Sequence, residues 1–543
     1  MNFQVAAQRW LQTEPDSDMQ AEIQALLDGP DTELQQRFTG RLQFGTAGLR
    51  AAVGAGPQRM NRLVVRQAAA GLVDHLLATI PEAAQRGIVI GYDARRKSDS
   101  FALDTACVCA ARGMRALLFD RLTPTPLLAW TIIAKHAAAG VMVTASHNPP
   151  ADNGYKVFLE TGAQIVPPFD AQIASCIDLI DPCNVTLASP DDPLIEFIGQ
   201  TEWDAYLAWL PGVRLRTDID PVDVAYTAMH GVGGDMLLAG FAAVGLPKPA
   251  VVVEQQQPDG TFPTVSFPNP EEPGAMDLLL ALAHRTNASL AIANDPDADR
   301  LGAAIPQVAK SIDVDTDESA NAWRRLAGDE IGWLMADHIL RHTSGSDRLV
   351  ITTVVSSSML SKMAAFHGVH IRETFTGFKW IGHVISEHPD LNFVFGYEQA
   401  LGYLVTKMPL DKDGISAAIL MAELTAVAAA EGVTLQQRLD ALADQFGRHM
   451  MSELSLRMDP SAGAIAVAEM RASPPKQVAD RTVTATTWFD EAGLLRLQLG
   501  DEVRIQVRPS GTEPKVKLYG EGIGVDAAPY LAALAELLTS TQP

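Results

Sequence analysis

The chain has 543 residues, of which 47% are hydrophobic and 20% charged, so a disordered chain is excluded. Its 65 acidic and 42 basic side chains leave a formal net charge of −23, which disfavours nucleic acid and acidic membrane surfaces as partners. At about 150 residues per domain, the length predicts roughly three or four domains.

The sequence also indicates a compartment. Cysteines stand only at positions 107, 109, 176 and 183, which is far from the density of a disulfide framework. The N-terminal residues lack the basic start and apolar core of a secretory signal. No uncharged apolar run reaches the length of about 18 residues that a membrane helix needs. We therefore predict a soluble, cytoplasmic protein.

Short β-branched runs alternate with helix-forming stretches through the first 200 residues, with strands predicted at 88–91 and 141–144. Such alternation is typical of α/β units. Loops rich in Pro and Asp at 181–193 and 211–221 mark a first boundary. Strands predicted at 222–226 and 289–293 follow that boundary.

A polar, acidic stretch at 306–320 marks a second boundary, and a helical segment is predicted around Trp323. A strand at 349–353 opens a third α/β block. The last hundred residues instead alternate with period two at 503–508, which predicts a small α+β domain with an antiparallel sheet. We expect domains at 1–205, 206–322, 323–445 and 446–543.

The sequence Thr-Ala-Ser-His-Asn-Pro-Pro at 144–150 directly follows a predicted strand. Loops at strand ends are where α/β proteins display reactive groups, so Ser146 is the candidate nucleophile. A hydrolase triad is less plausible, because no G-x-S-x-G motif is present and adjacent Ser and His residues, as at 146 and 147, do not normally face each other as nucleophile and base. The alternative is a loop whose side chains only satisfy local backbone groups.

Three aspartates, Asp295, Asp297 and Asp299, alternate along a loop that follows another predicted strand. Alternate residues of extended backbone project to one side, which predicts a hard oxygen site suited to Mg²⁺. An EF-hand is excluded because Arg300 stands where that motif requires Gly. The same spacing recurs at 313–317 without a preceding strand, and we interpret that run as a solvated surface loop.

The predicted turn between the strands of the last domain combines a cation, two hydroxyls and a glycine: Arg508, Ser510, Gly511 and Thr512. An arginine can fork onto two phosphate oxygens, and backbone N–H groups of such a turn can converge on an anion. We therefore favour an anion site over a plain β-turn.

Two weaker loops lie at 376–380 and 396–403. Glu398 could accept hydrogen bonds from sugar hydroxyls, and Lys379 could place a cation nearby, although each loop alone could be an ordinary turn. Together, a serine nucleophile, a Mg²⁺ site, a hydroxyl acceptor and an anion loop predict phosphoryl transfer on a phosphorylated sugar. The sequence contains no Walker A motif or kinase glycine loop, so a nucleotide donor is not required.

With these motifs the chain resembles the α-D-phosphohexomutase superfamily over nearly its whole length. Four loops are similar to the superfamily's phosphoserine, metal, sugar and phosphate loops, in the same order: 144–149, 295–300, 398–403 and 508–514. The segment 44–50 is similar to its N-terminal active-site segment. The segments 56–61 and 376–380 resemble most the branch with phosphoglucomutase 2, bacterial phosphoglucomutases and phosphopentomutases.

The resemblance implies an α/β fold of three related α/β/α domains with mixed sheets, plus a C-terminal α+β domain similar to the TATA-binding-protein fold, around a central cleft. It implies a Mg²⁺-dependent mutase that interconverts glucose or mannose 1-phosphate and 6-phosphate. Phosphorylated Ser146 would give its group to the sugar, and the resulting bisphosphate, also the activator, would turn over in the cleft. Because the bisphosphate must be retained, we expect the last domain to hinge.

The resemblance also assigns residues. The catalytic set would be Ser146, His147, Arg50, Lys156, Arg300 and Lys379, with Lys379 or Lys156 transferring the proton. The metal ligands would be Ser146 (through its phosphate), Asp295, Asp297 and Asp299. The sugar would contact Thr376, Gly377, Glu398, Gln399 and Ala400. The idle phosphate would bind Arg508, Ser510, Gly511 and Thr512.

The sugar loop departs from the superfamily, because many hexomutases have Ser and His where this chain has Ala400 and Tyr403. Ribose or deoxyribose 1-phosphate is therefore an alternative substrate. A metal-dependent phosphatase and a non-catalytic sugar-phosphate-binding protein are less favoured alternatives. Both a monomer and a homo-oligomer are compatible with the sequence.

Overall fold

The computed structural model describes residues 3–45, 48–307, 322–509 and 515–540. The aspartate run at 313–317, predicted to be a solvated loop, lies outside these residues. Three mixed sheets and one five-stranded antiparallel sheet follow one another along the chain.

The first sheet has six strands in the order β1-β5-β4-β2-β3-β6. The strands are β1 (Leu49–Ala52), β2 (Ile88–Tyr92), β3 (Ala116–Phe119), β4 (Ala139–Val143), β5 (Asp152–Leu159) and β6 (Ile195–Ile198). The helices are α1 (Phe3–Thr13), α2 (Ser17–Asp28), α3 (Asp31–Phe38), α4 (Arg62–Thr79), α5 (Ala83–Arg86), α6 (Ser98–Ala111), α7 (Thr125–Ala134), α8 (Phe169–Asp178) and α9 (Gln200–Trp209). Strands β3 and β4 are buried throughout, as expected for inner strands covered by helices on both faces.

The second sheet has the order β11-β10-β9-β7-β8. Its strands are β7 (Val224–Thr227), β8 (Ala250–Val251), β9 (Leu290–Asn294), β10 (Leu301–Pro306) and β11 (Trp323–Arg325). The helices of this region are α10 (Gly234–Ala243) and α11 (Asp277–Arg285), and short 3₁₀ turns lie at Pro182–Asn184, Leu210–Val213 and Val253–Gln255.

The helix predicted around Trp323 is wrong. Trp323 is buried in β11, which pairs antiparallel with β10. The next helix begins at Gly328, where the Glu330 side chain accepts a hydrogen bond from the Ala327 N–H. Pairing with a distant strand therefore overrides the local helical pattern.

The third sheet has the order β13-β12-β14-β15. Its strands are β12 (Arg348–Thr353), β13 (His370–Thr374), β14 (Asn392–Glu398) and β15 (Gly402–Leu404). Its helices are α12 (Gly328–His342), α13 (Met359–His367), α14 (Lys379–Glu387), α15 (Gly414–Ala430) and α16 (Leu435–Phe446).

The three mixed sheets share one strand order: β5-β4-β2-β3, β10-β9-β7-β8 and β15-β14-β12-β13. In each, an inner strand turns back into an antiparallel neighbour through a short connection, at 144–151, 295–300 and 399–401. Each connection contains a non-glycine residue with positive φ, namely Ser146 (52°), Ala298 (58°) and Leu401 (62°). The predicted relationship between three α/β/α domains is thus confirmed, and the connections carry three of the predicted loops.

The C-terminal region is a five-stranded antiparallel sheet in the order β16-β22-β21-β20-β19, with two helices and a small hairpin. Its strands are β16 (His449–Arg457), β17 (Gln477–Val478), β18 (Arg481–Thr482), β19 (Ala485–Phe489), β20 (Leu494–Leu499), β21 (Val503–Pro509) and β22 (Lys515–Ile523). Its helices are α17 (Pro460–Ala472) and α18 (Ala528–Ser540). This confirms the α+β domain predicted from the period-two alternation.

The apolar core divides differently from the sheets. One cluster contains buried side chains from all three mixed sheets, including Val89, Ile292 and Val350. The C-terminal region has a separate core, with Val507 and Leu534 among its members. The domain division at 205/206, 322/323 and 445/446 stays a prediction. Helix α9 crosses the first of these positions, and β11 lies beyond the second although it belongs to the second sheet.

Within the described ranges no single helix is long and apolar enough to cross a membrane. Helices α15 and α16 pass the same test of length and composition only as a pair bent by 86°.

Candidate active site

Ser146 lies in the connection after β4 and its side chain faces the connection after β9. Its Oγ donates a hydrogen bond to Asp295 Oδ2 at 2.9 Å and lies 3.2 Å from His147 Nδ1. The Ser146 N–H donates to Thr144 Oγ1, which helps to hold the left-handed backbone of the serine. Ser146 is only 3% exposed, and its hydroxyl faces the connection after β9.

The three aspartates of the second connection converge. Asp295, Asp297 and Asp299 are fully buried, and one carboxylate oxygen of each lies within 4.8 Å of the others. Asp297 Oδ1 and Asp299 Oδ1 have no hydrogen-bond partner in the described structure. Buried carboxylate oxygens without partners are costly unless a cation binds them. The residues present therefore fit a Mg²⁺ ion, which prefers oxygen ligands.

Two lysines and a threonine contact the Oδ2 atoms of Asp297 and Asp299. Lys156 Nζ donates to Asp297 Oδ2 at 2.6 Å and to Asp299 Oδ2 at 3.0 Å. Thr125 Oγ1 also donates to Asp297 Oδ2, at 2.6 Å. Lys412 Nζ lies 3.0 Å from Asp299 Oδ2. Among the described residues, these contacts leave Asp297 Oδ1 and Asp299 Oδ1 without a hydrogen-bond partner.

Burial and neighbouring charges shift the pKa values of Asp295 and Asp299 in opposite directions. Burial, together with repulsion from Asp299, raises the pKa of Asp295. Burial would raise the pKa of Asp299 too, but Lys156, Lys412 and Arg300 outweigh it and lower that pKa. The surrounding cations thus favour the ionised form of Asp299.

Two arginines flank the serine. Arg50 Nη1 donates to Asn148 Oδ1 at 3.1 Å, so its guanidinium lies beside the connection at 144–151, the serine loop. The Arg300 side chain lies 3.9 Å from Asp299 and donates to the backbone oxygen of Ala400. Burial, with both arginines, lowers the pKa of His147 well below its usual value, so His147 is neutral at pH 7.

Glu398 stands at the end of β14, beside the turn that precedes α14. It is 9% exposed and accepts a hydrogen bond from the Gly377 N–H at 3.2 Å. Thr376 Oγ1 is buried and has no hydrogen-bond partner among the described atoms. Lys379 follows, and burial lowers its pKa to about 8 although Asp170 and Glu398 oppose the shift. The connection that follows Glu398 contacts the metal loop, because Arg300 donates to the Ala400 backbone oxygen.

The other two predicted sugar contacts have structural partners. Gln399 Oε1 accepts a hydrogen bond from Ser356 Oγ at 2.8 Å, which anchors the connection to the third sheet. Ala400 offers its backbone oxygen to Arg300. The Tyr403 hydroxyl donates to the Gly328 backbone oxygen at 3.0 Å.

Arg508 is half-buried at the end of β21. Its Nη2 donates to the Tyr519 hydroxyl at 3.3 Å, and its guanidinium lies 5.9 Å from the centre of the Tyr519 ring. The other predicted phosphate contacts, Ser510, Gly511 and Thr512, lie outside the described residues.

Sequence reasoning missed Lys412 as part of the site. It lies in the Asp-Lys-Asp-Gly segment at 411–414, which joins β15 to α15. Asp413 caps α15 by accepting hydrogen bonds from the N–H groups of Ile415 and Ser416, and Gly414 packs so closely that an added Cβ would lie 2.4 Å from the Arg300 oxygen. An acidic residue and a glycine before a long apolar helix are a capping signal that could have drawn attention to this segment.

Four family models match the chain in order. They describe domains I, II and III of phosphoglucomutase/phosphomannomutase, each alpha/beta/alpha, at residues 41–182, 206–308 and 327–446, and its C-terminal domain at 464–534. These matches cover well over half of the chain. The chain belongs to the phosphoglucomutase/phosphomannomutase family.

Relatives agree with this assignment. A probable phosphomannomutase of Haemophilus influenzae is 40% identical over 488 residues, which is 88% of this chain and 96% of the relative. A Homo sapiens phosphopentomutase is 33% identical over 562 residues, covering 94% of this chain and 90% of the relative. A crystal structure of a family protein from Burkholderia thailandensis superposes with a TM-score of 0.71 at 20% identity, covering 93% of this chain and 98% of that one, which shows the fold. The protein is a phosphosugar mutase, an isomerase, and its substrates are phosphorylated sugars.

Proposed function

We propose that this mutase interconverts the 1-phosphate and 6-phosphate of glucose or mannose through phosphorylated Ser146 and a hexose bisphosphate. The observation that carries the proposal is the 2.9 Å contact between Ser146 Oγ and Asp295, beside two unpartnered aspartate oxygens. A phosphoryl group on Ser146 Oγ would lie against the metal-binding oxygens and between Arg50 and Arg300.

Asp295, Asp297 and Asp299 would hold Mg²⁺, which supplies positive charge against the phosphoryl oxygens in the transition state. Lys156 and Lys412 fix the carboxylates from behind. Arg50 and Arg300 are always charged, so they favour the phosphorylated form of the serine loop. Neutral His147 can hydrogen-bond the bridging oxygen of the phosphoserine without adding charge.

In the first transfer the sugar hydroxyl attacks phosphorus, the bond from phosphorus to Ser146 Oγ breaks, and the serine oxygen takes the electron pair. The hydroxyl proton needs an acceptor. Lys379 fits this role because its pKa of about 8 leaves an appreciable neutral fraction near pH 7. After the bisphosphate turns over, the same steps in reverse return its other phosphate to Ser146.

Glu398 and Thr376 would select the sugar, because both present hydrogen-bonding oxygens beside Lys379. Arg508, with Ser510, Gly511 and Thr512, would hold the phosphate that is not reacting. A bisphosphate of the substrate would serve as the activator, since it phosphorylates an unmodified Ser146. We further infer a cytoplasmic location, which the free cysteines at 107, 109, 176 and 183 support.

One observation favours a second candidate, a phosphopentomutase. Ala400 contributes only its backbone to the sugar loop, so no side-chain hydroxyl is present there to recognise a hexose. Several relatives at about one-third identity carry the names phosphopentomutase or phosphoribomutase, including that of Homo sapiens at 33%.

A substrate panel tests the proposal. Coupled assays would compare mannose, glucose, ribose and deoxyribose 1-phosphates, each with and without the matching bisphosphate. We expect kcat/KM for a hexose phosphate to exceed that for either pentose phosphate by about tenfold or more. A preference for ribose or deoxyribose 1-phosphate would establish the second candidate instead. Net release of inorganic phosphate would identify a phosphatase, and ligand-raised Tm without turnover would identify a binding protein.

A further inference from the structure

Arg95 contacts the backbone of the serine loop at four points. It lies in the connection after β2, and its side chain is buried. Its Nη2 donates to the Ser146 and Asn148 oxygens at 2.7 and 2.6 Å, and its Nη1 donates to the Pro149 and Asp152 oxygens at 2.8 and 3.0 Å. Each terminal nitrogen carries two N–H groups, so all four are used.

The guanidinium is held from two other sides. The Arg95 N–H donates to Asp93 Oδ1, and its Nε lies 3.4 Å from Asp93 Oδ2. The Phe262 ring, from the second domain, lies 4.9 Å from the guanidinium carbon. Gly260 packs so closely that an added Cβ would lie 2.3 Å from the Ala94 oxygen. Contacts outside the serine loop therefore also hold the Arg95 side chain in place.

The serine loop needs such support. Ser146 has a φ of 52°, a conformation that costs a non-glycine residue about 1 kcal/mol or more. Residues 144–151 lie outside both flanking strands, so no sheet ladder fixes their carbonyl groups. Arg95 supplies a partner for three of these carbonyls, those of Ser146, Asn148 and Pro149, and for that of Asp152 at the start of β5. Fixing the Ser146 carbonyl also fixes the Cα from which the side chain projects, and Ser146 Oγ lies 2.9 Å from Asp295 Oδ2.

We propose that Arg95 is a positioning residue for phosphoryl transfer: it fixes the backbone of residues 146–152 so that Ser146 Oγ stays beside Asp295. It acts through the loop and does not contact the sugar. The proposal rests on Ser146 as the nucleophile of the proposed function. A displacement of about 1 Å at a reacting atom can cost roughly 10²-fold in rate, so the effect should fall on kcat.

The test is Arg95→Lys, which keeps the positive charge but replaces a planar fork by one ammonium that cannot bond both pairs of carbonyls. We expect kcat to fall by about 10²-fold while KM for the preferred sugar phosphate changes by less than about threefold. Hydrogen exchange of the amides at 144–151 should accelerate, and exchange in the other strand connections should not.

Arg348→Lys is the matched control. Arg348 is also buried and also donates to backbone oxygens, those of Gly345, Leu340, Thr343 and His367, at the start of β12 and away from the serine loop. This variant should lose comparable thermal stability but keep the kcat of the wild type.

Several outcomes decide the matter. The proposal is overturned if Arg95→Lys keeps kcat within twofold, or if Arg348→Lys loses kcat equally. If Arg95→Lys does not fold, Phe262→Leu uncovers the guanidinium and should lower kcat with little change in KM; unchanged kcat would then count against the proposal. If the wild type itself shows no mutase turnover, the proposed function fails, and hydrogen exchange at 144–151 still reports whether Arg95 positions the loop.

Discussion

Two buried glutamates with similar partners lie in regions that are joined to the rest of the molecule very differently. Glu423 lies in α15 and contacts Arg214, His338 and two backbone N–H groups. Glu521 lies in β22 and contacts Arg504, His449 and the backbone and side chain of the Ser357 turn. For both, burial would raise the pKa, but the hydrogen bonds and charges outweigh it; the pKa of Glu423 is lowered and that of Glu521 falls to about 2.

The surroundings of the two glutamates differ. Glu423 is embedded where one apolar cluster joins all three mixed sheets. Glu521 bridges the C-terminal sheet to the third, and the apolar contact beside it is a small cluster that includes Val354, Val355, Leu494 and Tyr519. Apolar contact is non-directional and resists separation, whereas polar pairs can be replaced by water. We therefore expect the first three domains to behave as one unit and the C-terminal domain to be the one that moves.

The division also separates the chemistry. The serine, metal and sugar connections all lie on the continuous core, while Arg508 lies on the attached domain. The proposed reacting groups would thus be held rigidly relative to one another, and the proposed site for the idle phosphate would lie on the domain that we expect to move. This arrangement suits an intermediate that must turn over without leaving the cleft.

The largest effect on turnover should come from a substitution in the first three domains, Ser146→Ala. Removing the proposed nucleophile should lower turnover by a factor of about 10⁴ or more, because the proposed reaction passes through phosphorylated Ser146. The Tm should stay close to that of the wild type. Ser386→Ala, which removes a helix hydroxyl bonded to the Gly382 oxygen, is the control. Wild-type turnover in Ser146→Ala would remove the nucleophile assignment.

Next in size is Asp297→Asn. The charge of Asp297 faces two other carboxylates, so the variant should bind Mg²⁺ more weakly and lose about 10³-fold in kcat at fixed metal concentration. Chelation of the wild type followed by Mg²⁺ titration measures the same site. An Asp297→Asn enzyme with unchanged Mg²⁺ dependence would contradict the ligand set.

The pH dependence of kcat tests the proposed role of Lys379, which lies at the start of α14 in the third domain. If neutral Lys379 accepts the sugar proton, kcat should rise with pH up to about 8, following the lowered pKa of this lysine. Lys379→Arg cannot lose its proton in this range, so kcat should fall by about 10²-fold and that limb should disappear. A kcat that instead falls as pH rises through 8 would show that Lys379 acts as a cation and not as a base.

Much of this organisation could be predicted from sequence because its signals are local. Apolar runs followed by Ser146, by the three aspartates and by Glu398 mark strand ends. The structure confirms the fold class, and the family models and relatives confirm the mutase family. The roles of these residues stay predictions. What was missed depends on distant contacts: β11 forms only by pairing with β10, and Lys412 reaches Asp299 across more than a hundred residues. The contacts of Arg95 could not be predicted either, because its four acceptors are backbone oxygens that come together only when the loop folds.

The smallest effects should separate the two glutamates themselves. Glu423→Gln removes the carboxylate paired with Arg214, and Glu521→Gln leaves Arg504 with only the more distant Glu373 at 3.6 Å. Breaking a buried ion pair costs up to about 3–5 kcal/mol of folding free energy in comparable cases. Glu423→Gln should lower the Tm of the whole protein and leave KM and kcat of the folded enzyme unchanged. Glu521→Gln should raise KM by a few-fold and accelerate hydrogen exchange mainly beyond residue 449, because it loosens the domain that carries Arg508.

The pH dependence of the unfolding free energy provides a second test of Glu521. The pKa of Glu521 is about 2 in the folded protein and about 4.3 in an unfolded chain, so its ionised form stabilises the protein above pH of about 4.5. That contribution is lost as pH falls toward 2, where protonated Glu521 resembles Gln. The difference in unfolding free energy between the wild type and Glu521→Gln should therefore shrink over this range, measured by urea unfolding. If both variants instead raised KM and loosened all four domains equally, the C-terminal domain would be as firmly joined as the other three, and the hinge would have to lie elsewhere.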